Sequence, residues 1–172
     1  VNTRSDGFTN AAAESRFLRV VLYLVHSNVF ISLSTTSIAL TTILLTGLPI
    51  EYVPLFIVFA ATLFVYNLNR FTDRVEDARN NPERAAFFSA YGHYWLVIGI
   101  VVYVVSIGIG IWLSLPMVEY LLLPLLVGLV YSVFRAKELL LIKNLLVGMS
   151  WGIIPLGVGV YYGMLWQTQI LF

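Results

Sequence analysis

The chain contains no cysteine, which excludes disulfide frameworks and thiolate metal sites and leaves its redox compartment undetermined. Charge is scarce: 11% of the residues are Asp, Glu, Lys or Arg against 59% hydrophobic, and no acid follows Glu138. Together with a mean hydropathy of +0.87, this places the chain outside the range of soluble domains and among integral membrane proteins. Short segments of alternating polar and apolar residues, the mark of barrel strands, are lacking as well. The long apolar runs therefore predict an all-α fold, a polytopic transmembrane helix bundle. Fixed-period repeats and low-complexity tracts are absent, and no nucleic-acid partner is expected.

With about 20 apolar residues needed to cross the hydrocarbon layer, five spans are predicted, at 20–46, 52–68, 92–114, 117–134 and 144–166. The first is long enough to tilt or to include an interfacial turn. Breakers separate them: Gly47 and Pro49, the charged stretch 70–84, Pro116, and the stretch from Arg135 to Lys143. The basic residues test this count independently, because they should gather on the cytoplasmic side. Arg4, Arg16 and Arg19 precede the first span; Arg70, Arg74, Arg79 and Arg84 separate the second and third; Arg135, Lys137 and Lys143 separate the last two. The alternate connections carry only Glu51 and Glu119. A cytoplasmic segment 1–19 is thus expected to lead into a transmembrane domain 20–172, in a multi-pass protein of the cell membrane whose functional face looks toward the cytoplasm. The apolar run behind the polar start is too long for a secretory signal, so the first helix is expected to be retained.

The acid-rich segment Asn69-Arg70-Phe71-Thr72-Asp73-Arg74-Val75-Glu76-Asp77 follows the second apolar run directly. On a helix, positions 69, 73 and 77 stay on one face, with Glu76 beside them. The connection 70–84 holds four residues of each sign, and at roughly 2.5–3.5 kcal/mol per charge at the bilayer centre it must lie at or beyond the interface. Two readings of this spacing stand side by side. In one, three-residue pairs such as Arg70 with Asp73 and Arg74 with Asp77 brace a solvated helix, each worth only tenths of a kcal/mol. In the other, carboxylates and an amide oxygen form hard ligands for Mg²⁺, an ion that binds through one or two carboxylates plus substrate phosphates. Arginines and lysines on the same rim would hold the phosphate oxygens. An amphiphile with a diphosphate head and an isoprenoid tail suits that arrangement.

These residues resemble the UbiA superfamily of intramembrane prenyltransferases, whose first signature is Asn-Asp-x-x-Asp-x-x-x-Asp after the second helix. Asn69, Asp73 and Asp77 match three of its four positions, and Arg70 stands at the remaining one. Asn81-Pro82-Glu83-Arg84 is similar to the family's Asn-x-Pro-x-Arg continuation. Tyr131-Ser132-Val133-Phe134-Arg135, with Lys137 close by, is similar to its Tyr-x-x-x-Lys connection, with arginine where lysine is usual. The resemblance covers residues 15–166 and implies the first five helices of a nine-helix fold. It implies Mg²⁺ at Asn69, Asp73 and Asp77, an arginine at position 84 near the diphosphate, and Tyr131, Arg135 and Lys137 as further substrate contacts. The implied activity moves a prenyl group from a prenyl diphosphate to an aromatic or other lipophilic acceptor, with Asp73, Asp77 and Arg84 as the catalytic set.

The family's second aspartate motif has no counterpart here. A fragment or split gene product, a self-associating half and a degenerate relative all answer to that, and the first is the expectation, so that a second half-chain or a second copy belongs among the expected partners, with membrane lipid. The alternative function is a non-catalytic membrane subunit that binds anionic lipid or a partner protein through its charged connections. Within the spans, His26 and Asn28 are cavity candidates, the hydroxyls of residues 32–37 are expected to pack between helices, and His93 is expected in an interfacial aromatic belt. Gly148, Gly152, Gly157, Gly159 and Gly163 are expected to give the last span a close-packing face, with Pro155 free to kink it.

Overall fold

The computed structural model of the 172-residue chain describes residues 16–115, 119–130 and 140–164. Those residues are all-helical, without strands. In chain order the helices are α1 (Arg16–His26), α2 (Val29–Leu45), α3 (Tyr52–Thr72), α4 (Arg74–Asn80), α5 (Pro82–Trp112), α6 (Leu122–Gly128), entered by a single 3-10 turn at Glu119–Leu121, and α7 (Leu140–Tyr161).

At 1.5 Å per residue, the 21 residues of α3 extend about 31 Å, which matches a hydrocarbon layer about 30 Å thick. The 31 residues of α5 extend about 46 Å, so about ten of them reach beyond that layer. Those at its start, with Glu83 and Arg84, are the charged ones. These two helices are long and apolar enough to cross a membrane, and a third crossing is formed if α1 and α2 count as one broken span. Of the fourth and fifth predicted spans, residues 117–118, 131–134 and 165–166 lie outside the described residues.

The predicted first span is bent by 70° between α1 and α2. Asn28 causes the break. Its φ of 65° is left-handed, a conformation that asparagine tolerates better than other side chains, and it ends α1 while its carbonyl accepts the first bond of α2 from Ser32 N. The apolar side chains Phe17, Leu18 and Val20 of α1 are exposed, and Tyr23 packs edge-on against Phe87 and Trp95 of α5.

The helix α3 is central, packing on α5 and α2. Against α5, Phe64 stacks on Tyr103 with centroids 4.8 Å apart, and the Tyr103 hydroxyl donates to the Leu121 carbonyl. The backbones come closest at Gly99, where a Cβ would stand 3.2 Å from Cα of Phe64. Ala39 and Ile43 of α2 form a second core with Ile154 and Val158 of α7. The far end is tied by Tyr161, whose hydroxyl donates to Glu51 at 2.5 Å, and by Tyr162, which donates to the Pro49 carbonyl at 2.6 Å.

Two expectations meet a specific outcome. The hydroxyls of residues 32–37 divide: Ser32 and Thr35 are buried between helices, with Thr35 donating to Thr62 of α3 at 2.9 Å, whereas the exposed Ser37 donates along its own helix to Leu33 O at 2.9 Å and needs neither a cavity nor a neighbouring helix. The glycines of α7 differ from expectation: a Cβ at Gly148, Gly152 or Gly157 would meet nothing within 4 Å among the described residues. Close glycine packing belongs to α5 instead.

Candidate functional site

The acid-rich segment forms where α3 passes into α4. Asp73 sits between them, yet the backbone ladder continues through it: Asp73 N donates to Asn69 O at 3.0 Å, Asp77 N to Asp73 O at 2.8 Å and Asn81 N to Asp77 O at 2.8 Å. Asn69, Asp73 and Asp77 therefore follow one another at single-turn intervals on one face, as the spacing predicted. Asp73 and Asp77 are both buried. The Thr72 hydroxyl bonds Asn69 O at 2.8 Å and approaches Oδ1 of Asp73 at 3.3 Å.

The next turn is fixed by local sequence. Asn81 caps α5, its Oδ1 accepting from Arg84 N at 3.1 Å, Pro82 occupies the first helical position where its missing N–H costs nothing, and Glu83 faces the positive end of the helix dipole. This cap sets Arg84 facing α4. Nη1 of Arg84 lies 3.9 Å from Oδ1 of Asp77, and Nη1 of Arg70 lies 3.4 Å from the same oxygen. One carboxylate is thus shared by two guanidinium groups on partly buried side chains.

Arg70 and Arg84 also line a small cavity of about 240 Å³ with Val25, Asn28, Phe30, Ile31 and Tyr66. Beside it lies a larger one of about 690 Å³ between α3, the Tyr120–Pro124 segment and α7, walled by residues such as Ile57, Val65, Leu121, Met149 and Ile153. Two polar groups on that wall, Thr35 and Thr62, bond each other at 2.9 Å. The larger volume falls within the range of small-molecule sites, about 300–1,000 Å³, and the smaller suits a headgroup more than a whole ligand. Tyr66 lines both.

No protein-family model, curated protein or solved structure matches this chain.

A buried polar junction holds the cavity floor. Asn28 Nδ2 donates to Asn67 Oδ1 at 3.1 Å, and Asn67 Nδ2 donates to Leu63 O at 2.8 Å and Ser27 O at 3.3 Å. Of the two cavity candidates in the first span, Asn28 lines the basic cavity. His26 is turned instead toward Phe87, with ring centroids 5.6 Å apart, and its Nδ1 has no hydrogen-bond partner among the described residues. His93 is exposed beside Tyr94.

For Mg²⁺, the chemistry of the donors fits: two carboxylates and an amide oxygen are hard ligands. The geometry adds a limit. Asn69 and Asp77 are separated by about 12 Å along the helix axis, too far for direct bonds to one ion near 2.1 Å each. Asp73 with either neighbour can serve one ion, the remaining positions falling to water or phosphate oxygens. Among the described residues no group of three or more His, Cys, Asp or Glu side chains surrounds a common point.

Tyr131, Arg135 and Lys137 lie outside the described residues, as does the side chain of Glu76. Arg70 and Tyr66 were not assigned to the site from the sequence. Arg70 carried a signal nonetheless, as the basic residue in an otherwise acidic signature; Tyr66 carried none, because aromatics abound throughout the chain.

Proposed function

We propose that this chain is a membrane prenyltransferase, or the amino-terminal half of one, with a five-span UbiA-like architecture and a site facing the cytoplasm. The observation that carries this reading is the pairing of an arginine-lined cavity with a larger apolar one beside a face bearing Asn69, Asp73 and Asp77. A prenyl diphosphate has the same two-part chemistry.

In this reading, Arg70 and Arg84 bind the phosphate oxygens, and charge-assisted contacts to guanidinium groups are the strong form of that bond. Asp73, with Asn69 or Asp77, would hold Mg²⁺, which when bound supplies neutralisation of the diphosphate charge. The allylic C–O bond breaks with its electron pair leaving on the diphosphate. The electron-rich acceptor then forms the new bond to carbon and gives up its proton to solvent. Stabilising the departing anion is the main electrostatic task, and partly buried arginines perform it better than fully hydrated ones. Tyr131, Arg135 and Lys137 complete the substrate contacts by resemblance.

A second reading rests on the engagement of Asp77 by two arginines. There the cluster is a strut in a non-catalytic membrane subunit, whose basic rim meets anionic lipid or a partner protein. Binding of farnesyl diphosphate to the purified protein, with and without Mg²⁺, separates the two. The transferase reading expects metal-dependent binding that is lost in Asp73→Ala and Asp77→Ala; binding indifferent to metal and to both substitutions favours the subunit.

A further inference from the structure

Thr62, Tyr66 and Arg70 follow at four-residue intervals on α3 and so share one face of that helix. Thr62 lines the apolar cavity, Arg70 the basic one, and Tyr66 is common to both. Each step is about 6 Å along the axis, so the face runs from hydrocarbon to guanidinium in about 12 Å, with a ring at its midpoint. Trp151 of α7 lines the apolar cavity together with Tyr66, so a second large ring borders the same space from another helix. An amphiphile occupying both cavities has to pass the ring at the junction of its head and tail.

We propose that Tyr66 is a specificity-determining residue that sets the width of the passage between head and tail cavities. This rests on the reading of the two cavities given above, and deepens it by naming the class of ligand that is read: an unbranched or isoprenoid diphosphate slim at the carbon next to oxygen. Bulk added at position 66 obstructs the junction, which the tail must pass and a bare head need not. Bulk removed there admits substituents next to the diphosphate that the tyrosine rejects.

The test compares inorganic diphosphate, which needs the head cavity alone, with farnesyl diphosphate, which needs both. Titrations are made on the full chain in detergent with Mg²⁺ present. Tyr66→Trp is expected to weaken farnesyl diphosphate about tenfold, the size of a typical overpacking penalty, and inorganic diphosphate less, because it need not pass the ring. Tyr66→Phe, which keeps the ring, should retain the preference for farnesyl diphosphate. Should Tyr66→Trp fail to fold, Tyr66→Ala decides, with improved binding of a diphosphate branched at its first carbon relative to farnesyl diphosphate. Equal weakening of both ligands by Tyr66→Trp, no change in either, or an unaltered ligand preference in Tyr66→Ala would overturn the assignment of Tyr66 while leaving the site itself standing. A wild-type protein that binds inorganic diphosphate but discriminates against no tail overturns it as well. Failure of the wild type to bind either ligand overturns the two-cavity reading, and Tyr66 with it.

Discussion

Asn67 accepts a buried hydrogen bond from Asn28 at 3.1 Å, joining the break between α1 and α2 to the last third of α3. Because Asn67 is fully buried, its loss strands the Asn28 amide and takes a bond from the Ser27 and Leu63 carbonyls. Asn67→Ala is expected to destabilise the protein by roughly 2–3 kcal/mol, the penalty for buried polar groups left without partners. Thermal unfolding in detergent measures it.

The left-handed backbone at Asn28 gives a companion experiment. Asn28→Gly keeps the backbone comfortable and loses the side-chain bond, which costs about 1 kcal/mol. Asn28→Val loses the bond and forces a β-branched residue to positive φ, adding about 1–2 kcal/mol. The order of melting temperatures, wild type above glycine above valine, checks that the conformation and the bond both contribute.

Glycines in α5 and α7 should respond in opposite ways. At Gly99 a Cβ lies 3.2 Å from the Phe64 backbone, whereas at Gly152 it meets nothing within 4 Å. Gly99→Ala is expected to destabilise by about 1 kcal/mol or more as α3 and α5 are pushed apart. Gly152→Ala should be neutral or stabilise by up to about 1 kcal/mol through helix propensity. Unfolding of the two variants side by side provides the comparison.

Much of this architecture was legible in the sequence because it follows from local rules. The run from Tyr52 to Leu68 is apolar for the length of a bilayer, as α3 is; α5, by contrast, begins at Pro82 behind the Asn81 cap, ten residues ahead of the span expected from 92, because its first turns are charged and apolar length alone does not reveal them. The one-turn spacing of Asn69, Asp73 and Asp77 was equally plain. The 70° bend at Asn28 was not, since it depends on a partner 39 residues away, Asn67. The glycines of α7 are a similar case: a small-residue stripe announces that close approach is allowed and says nothing of whether a helix makes it, and among the described residues none comes near Gly148, Gly152 or Gly157. The arginine pair was hidden because Arg70 and Arg84 meet through Asp77 only once α4 turns back beside α5.

Removing the shared carboxylate tests how the arginines and the acids divide their work. In Asp77→Asn, Arg70 and Arg84 lose the charge that both face. Binding of inorganic diphosphate without metal should hold or tighten, while the Mg²⁺-dependent component of farnesyl diphosphate binding should fall by about tenfold or more. Titration calorimetry in the two conditions reads both quantities.

Arg84 owes its position to the Asn81 cap, so the cap should matter twice. Asn81→Ala is expected to cost about 1 kcal/mol of stability and to weaken diphosphate binding, although position 81 is not among the cavity-lining residues. Asn81→Asp or Asn81→Ser, which still cap, should restore stability. Diphosphate titration and unfolding on the same samples link the two effects.

The central claim is that one amphiphile places its diphosphate between Arg70 and Arg84 and its tail along α3 and α7. Photo-crosslinking with a prenyl diphosphate carrying a diazirine at the tail end, followed by peptide mass spectrometry, tests it most directly. The account predicts label on cavity residues such as Ile57, Leu121 or Ile153, suppressed by excess inorganic diphosphate and by Arg84→Ala. Label confined to outward residues such as Tyr52 and Trp112, 84% and 82% exposed, and insensitive to diphosphate, would contradict it.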